Sequence, residues 1–140
     1  MIVLDTSGLL AAVDADQRHH ALARHVLASD DGPLLLSPFV LAELDYLLME
    51  RVGLRAERAL LDEVAAAVYD LVPFGAAEVV TAAELVGRYG ELRVGLADAS
   101  IVVIAAAAKT TRLLTLDERH FRSMRPLWGE AFTLLPADQS

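Results

Sequence analysis

The chain has 140 residues, enough for one domain around one core, and contains no cysteine. Disulfides and thiolate metal sites are thereby excluded, and a reducing cytoplasm is the expected location. Its net charge of −8, from 12 Lys+Arg against 20 Asp+Glu, excludes a general nucleic-acid coat. It leaves open an enzyme that meets RNA through a local basic rim.

The hydrophobic fraction of 55% fits either a buried oligomer or partner surface beyond the monomer core, or a compact Ala/Leu-rich fold. The longest uncharged stretches, 32–42 and 99–108, fall well short of the roughly 20 residues a membrane span needs. Asp5 comes too early for a signal peptide.

Ile2, Val3 and Leu4 read as a short buried strand with Asp5 at its carboxyl end. Thr6 or Ser7 is the expected cap of a helix through Val13, and Asp16 that of a second helix to about Ala28. Residues 30–33, Asp-Asp-Gly-Pro, form a turn before a second buried strand at 34–36. Ser37-Pro38 is a strong helix start, with serine as cap and proline at the first helical position. That helix runs to about Val52, Gly53 stops it, and another follows to about Ala67. Residues 69–72 read as a strand, 73–75 as a turn and 76–89 as a helix ending at Gly90. A loop at 91–95 leads to an apolar helix at 96–109. A strand at 112–116 follows, with Asp117 at its end. A short helical turn to Met124 and a last strand at 132–135 complete the chain. Strands alternating with helices predict an α/β fold, a mostly parallel sheet covered on both faces, in a single domain over 1–140. In such sheets ligands bind beyond the carboxyl ends of the strands, where Asp5 and Asp117 both fall.

Four acids interrupt the most apolar stretches: Asp5, Glu43, Asp98 and Asp117. A carboxylate in apolar surroundings is costly unless paired, hydrogen-bonded or bound to metal. Each has an ordinary explanation. Asp5 is a cap or turn former, Glu43 a half-exposed surface acid, Asp98 a helix-dipole partner, and Asp117 a turn initiator. Together they suggest one shared site of hard oxygen ligands, of the kind Mg²⁺ or Mn²⁺ prefers. With about 100° per residue, Val40, Leu44, Leu47 and Leu48 make an apolar stripe. Glu43 sits at its edge, while Asp45 points toward solvent or a partner. Thr115, two residues before Asp117 on the same strand face, can hydrogen-bond the cluster or an attacking water. Ser100 is a candidate supporting hydroxyl. Arg112, Arg119, Arg122 and Arg125 cluster around Asp117 in sequence, and Arg93 precedes Asp98. They are either an ordinary charged surface or a phosphate-binding rim. His120 is the one histidine near the acids, equally a packing, solvent-facing or substrate residue. His19, His20 and His25 offer only a weak zinc spacing. No Gly-rich phosphate loop and no Gly-x-Ser-x-Gly elbow is present.

Residues 3–11, Val-Leu-Asp-Thr-Ser-Gly-Leu-Leu-Ala, resemble the opening of PIN-domain ribonucleases. Residues 37–44 (Ser-Pro-Phe-Val-Leu-Ala-Glu-Leu), 96–101 (Leu-Ala-Asp-Ala-Ser-Ile) and 114–121 (Leu-Thr-Leu-Asp-Glu-Arg-His-Phe) resemble their second, third and fourth motifs. The likeness covers nearly the whole chain and, at this length, is greatest to VapC-type toxins of toxin–antitoxin pairs. It implies a three-layer α/β/α fold and Mg²⁺- or Mn²⁺-dependent endoribonuclease activity on transfer or ribosomal RNA. It also implies a homodimer and a VapB-type antitoxin, whose apolar helix is expected over the 39–67 helix pair with a cation among the acids. By match, the catalytic and metal roles fall on Asp5, Glu43, Asp98 and Asp117, with no departure at those positions. Secondary roles fall on Thr6, Ser7 and Thr115. The alternatives are a non-catalytic RNA-binding module on the same fold, or a phosphatase or DNA nuclease using the same chemistry.

Overall fold

The structure, a computed structural model, describes residues 1–139. Five strands form one parallel sheet: β1 (Ile2–Leu4), β2 (Leu34–Leu36), β3 (Asp70–Leu71), β4 (Arg112–Leu114) and β5 (Thr133–Leu135). Seven α-helices connect them: α1 (Thr6–Val13), α2 (His20–Ser29), α3 (Pro38–Arg51), α4 (Leu54–Ala65), α5 (Ala76–Arg88), α6 (Leu96–Ala108) and α7 (Glu118–Ser123). The layers are helix, sheet, helix. β1 is buried along its whole length, so it needs cover on both faces.

The strand order is β3-β2-β1-β4-β5. The chain first builds outward from β1 to β3, then crosses back to lay β4 on the other side of β1. The order therefore reverses between β1 and β4, which opens a crevice at their carboxyl ends. Val3 pairs with Leu113 and Leu4 with Leu114. The ladder ends where the Asp5 amide donates to the Leu114 carbonyl at 2.9 Å.

Most expected elements are present, and the differences have local causes. The second helix begins at His20 rather than Asp16. Asp14 instead organises the turn, accepting from the Asp16 amide and the Gln17 side chain, each at 3.1 Å. Neither Thr6 nor Ser7 caps α1. The cap position belongs to Asp5, whose carboxylate makes no capping bond. β4 stops at Leu114 rather than 116, because β1 has already turned into α1 and offers no further partner. Leu116 donates its amide to the Ser7 hydroxyl instead, at 2.9 Å. β3 shrinks to two exposed edge residues. Asp45 is half-buried, with its Oδ1 shielded from solvent. It lies against Glu57 of α4, whose carboxyl it pushes up.

Ser37 is the cap its sequence announces. Its hydroxyl accepts from the Phe39 amide at 3.1 Å. It also meets the buried Ser100 hydroxyl of α6 at 2.7 Å, which ties α3 to α6 and directs Ser100 away from the acids. Ser37→Ala is expected to lower stability by about 1–2 kcal/mol, from the lost cap and the lost Ser37–Ser100 hydrogen bond; the Ser100 hydroxyl keeps the Ala97 carbonyl as acceptor. The shift in urea midpoint at constant slope measures it.

Candidate active site

Asp5 leaves the carboxyl end of the central strand and is 5% exposed. Two hydroxyls hold its Oδ2: Thr115 donates at 2.6 Å and Ser7 at 2.8 Å. Both protons are committed to the carboxylate, so the 3.3 Å approach of Ser7 to Thr115 is a contact without a donor. Oδ1 takes part in neither bond. Burial raises the Asp5 pKa to about 6 against the pull of these hydroxyls, and the Asp98 charge raises it further.

Asp98 stands in the first turn of α6 and Asp117 just beyond β4. One oxygen of Asp117, Oδ1, accepts from the His120 amide at 3.0 Å and starts α7. Its other oxygen lies 3.0 Å from His120 Nδ1. The turn-initiating and site readings of Asp117 are thus both met, by different atoms. His120 Nδ1–H donates to Asp98 Oδ2 at 2.8 Å, and Nε2–H donates to the Leu92 carbonyl at 2.8 Å. With both ring nitrogens facing acceptors, the imidazolium is favoured. Burial works against it, but the Asp98 bond and the charges of Asp117 and Asp98 hold the His120 pKa above its ordinary value. Burial, with the charges of Asp117 and Glu43, holds the Asp98 carboxyl above its usual range despite His120.

These groups line a cleft of about 470 Å³ at the reversal of strand order. Asp5, Thr6, Ser7, Glu43, Asp98 and Asp117 all line it. Four distant segments therefore bring carboxylates to one place. Ligand atoms of Asp98, Asp117 and His120 lie within 4.8 Å of one another, the one such metal-competent group among the described residues. Asp5 and Glu43 line the same cleft outside that tight group. His19, His20 and His25 form no such group. His20 Nδ1 instead meets the Ala11 carbonyl at 2.8 Å. Thr6 Oγ1 is buried beside the acids without a partner. The donor set is oxygen-rich and carries surplus negative charge, and it includes an unpaired hydroxyl. It fits a hard divalent cation.

The arginines separate into two kinds. Arg112 lies at the amino end of β4, away from the cleft, and is ion-paired to Asp30. Arg122 is held by Glu118 at 2.9 Å and Asp138 at 2.6 Å. Arg119 and Arg125 are exposed without ion pairs among the described residues and do not line the cleft. Arg93 does line it.

One cleft residue, Arg51, escaped sequence reasoning. Arg51 lines the cleft from the end of α3. The signal was there, since Glu43, Leu47 and Arg51 recur every four residues along one helix face. His120 was placed near the acids by sequence, but nothing in the sequence chose its contacts.

Residues 2–125 match the PIN domain family. The chain is 45% identical over 135 residues, 96% of its length and 100% of the relative's, to ribonuclease VapC26 of Mycobacterium tuberculosis (strain ATCC 25618 / H37Rv). Among solved structures it is similar to Mycobacterium tuberculosis VapC20, described as a sarcin–ricin loop cleaving toxin. That match has a TM-score of 0.81 and 23% identity over 92% of this chain and 100% of that one. It also resembles VapBC2 from Rickettsia felis bound to a promoter DNA fragment, with a TM-score of 0.68 and 22% identity over 96% and 98% of the two chains. A third likeness is to FitAcB from Neisseria gonorrhoeae, with a TM-score of 0.61 and 19% identity over 84% and 88%.

Proposed function

The chain belongs to the PIN-domain family, and from that premise we propose how it acts. It is an endoribonuclease of the toxin–antitoxin kind, neutralised by a cognate antitoxin. It hydrolyses RNA phosphodiesters with Mg²⁺ or Mn²⁺ held by Asp5, Asp98 and Asp117, with Glu43 at the cleft edge. The observation that carries this reading is the gathering of four acids from β1, α3, α6 and the end of β4 around one cleft.

The residues have separable tasks. Ser7 and Thr115 pin one oxygen of Asp5 and leave the other for the ion. Thr115 also accepts from the Asp117 amide at 2.9 Å, so one hydroxyl sets the spacing between Asp5 and Asp117. His120 offsets charge between Asp98 and Asp117 and is positioned to give way to a cation or a phosphate. Glu43 is exposed and able to orient a water on the open side. A divalent cation bound here would neutralise the scissile phosphate and lower the pKa of a water for in-line attack. The products expected are a 5′-phosphate and a 3′-hydroxyl.

The α3–α4 pair leaves Tyr46, Met49, Val52 and Leu54 exposed. That apolar face supports the homodimer and the covering antitoxin helix. No helix among the described residues is long and apolar enough to cross a membrane.

The test is cleavage of total RNA by purified protein in Mg²⁺ or Mn²⁺, beside EDTA and beside Asp98→Asn, with the cut ends sequenced. Discrete cuts are expected, lost in EDTA and reduced at least about a thousandfold in the variant. Absence of both cutting and calorimetric metal binding overturns the reading.

A further inference from the structure

The acid cleft poses an electrostatic problem that its metal ligands do not solve. RNA must approach a floor of carboxylates on a chain of net charge −8. Sequence-independent affinity for RNA comes from cations that neutralise phosphates. Among the described residues, the cationic side chains lining the cleft are Arg51 and Arg93.

Both are exposed, and neither is ion-paired among the described residues. Arg112 and Arg122, by contrast, are occupied by carboxylates. Arg51 stands eight residues beyond Glu43 on α3, about 12 Å along the helix axis. That separation keeps it on the cleft wall yet beyond ion-pair reach of the acid whose helix row it shares. Arg93 sits on another wall, at the end of the 3₁₀ turn Gly90–Leu92. Its backbone is left-handed, at φ 56° and ψ 41°. That conformation is uncommon for a non-glycine residue and recurs in this chain just past helix ends, at Ala67 and Lys109. Here the Arg93 amide donates to the Gly90 carbonyl at 3.1 Å, and His120 grips the adjacent Leu92 carbonyl. The imidazole that contacts Asp98 and Asp117 therefore also fixes the turn that presents Arg93.

We propose that Arg51 and Arg93 are a two-sided phosphate clamp that grips the RNA backbone on either side of the scissile bond. Guanidinium groups suit this task because they bind phosphate oxygens bidentately. The clamp reads backbone rather than bases, so it supplies affinity and leaves sequence choice to other surfaces.

The clamp rests on the ribonuclease reading, and the experiment separates the two. Cleavage of total RNA is followed for the wild type, Arg51→Gln, Arg93→Gln and the double variant. Arg58→Gln, an exposed α4 position outside the cleft, controls for the change in net charge. Binding of a fluorescein-labelled mixed-sequence RNA 12-mer is measured for each in the inactive Asp98→Asn background, across 50–200 mM salt. Each cleft variant is expected to raise KM and the 12-mer Kd about tenfold, with kcat within about twofold. The slope of log Kd against log salt should fall by about 0.7 per arginine, and Arg51→Lys should restore most of it. Arg58→Gln should do neither. Wild-type cleavage with unchanged KM and salt slope in both cleft variants overturns the clamp alone. No cleavage by the wild type and no 12-mer binding by Asp98→Asn with both arginines intact overturns the clamp together with the ribonuclease reading.

Discussion

Asp5→Asn is expected to yield a protein that no longer cuts RNA yet is more stable than the wild type at neutral pH without divalent cations. The Asp5 carboxyl is 5% exposed, and burial raises its pKa from 3.8 to about 6. A shift of roughly two units is a penalty of about 3 kcal/mol for keeping it charged in the fold. Asparagine removes that penalty and still offers an amide oxygen to Ser7 and Thr115. Its NH₂ needs an acceptor of its own, which leaves a net gain of about 1–2 kcal/mol. The sign follows from proton linkage. A carboxyl that holds its proton more tightly folded than unfolded makes the fold gain stability as pH drops through 6, levelling off near 4. The wild type in EDTA should therefore stabilise on acidification, and the gap to Asp5→Asn should close by about pH 4. His120, also raised, contributes in the same direction in both proteins. Asp30 and Asp138, whose carboxyls are held low, reverse the trend only in more acid solution. Urea titrations in EDTA between pH 4 and 8 measure this. A variant several kcal/mol less stable than wild type at pH 7 would make Asp5 a structural cap rather than a ligand. Mg²⁺ should raise the melting temperature of the wild type and not of the variant.

Gly8→Ala should unfold or distort the site from the opposite direction, by adding one methyl group. A Cβ at Gly8 would overlap the Leu114 carbonyl oxygen and sit 2.6 Å from the carbonyl carbon and 2.7 Å from the Leu114 side chain. The obstacle is backbone, so α1 and β4 must part. The same Leu114 carbonyl accepts the Asp5 amide, so the displacement reaches the first ligand directly. A loss of about 3 kcal/mol or more is expected, from overpacking and the strained bond, together with loss of cleavage. Gly87→Ala is the contrast. Nothing lies within 4 Å of its added Cβ, and it is within helix α5. It should stabilise by about 0.5–1 kcal/mol and leave cleavage unchanged. Equal urea midpoints for the two variants would show that the α1–β4 approach is not tight.

Both predictions depend on a motif visible before any coordinates. Apolar runs of three residues marked β1 and β2 as buried strands, and Ser37-Pro38 marked the start of α3. The parallel sheet this implied placed Asp5 and Asp117 at carboxyl ends of strands, and the structure makes those strands neighbours. The helix period put Glu43 at the edge of an apolar stripe and so within reach of the cleft. Other local expectations failed where a side chain had two possible uses. Ser7 could cap α1 or hold Asp5. It holds Asp5: with Asp5 itself at the cap position, Ser7 lies inside the first turn of α1, and its hydroxyl donates to the buried carboxylate.

What the amino-acid order determined by itself was everything set within a few residues: the alternation of strands and helices, the Ser37 cap, and the types of ligand available to a metal. What only the tertiary structure decided was which charges meet. Thr115 reaches Asp5 across 110 positions and His120 reaches Asp98 across 22. Arg112 was near Asp117 in sequence, but a strand carries its two ends in opposite directions, and Asp30 claimed it. Arg51, far in sequence from every site acid but Glu43, joined the cleft because the fold packs α3 against α6. Local propensity falls off within a helical turn. A site assembled from four segments exists only after the sheet has folded and brought their carboxyl ends together.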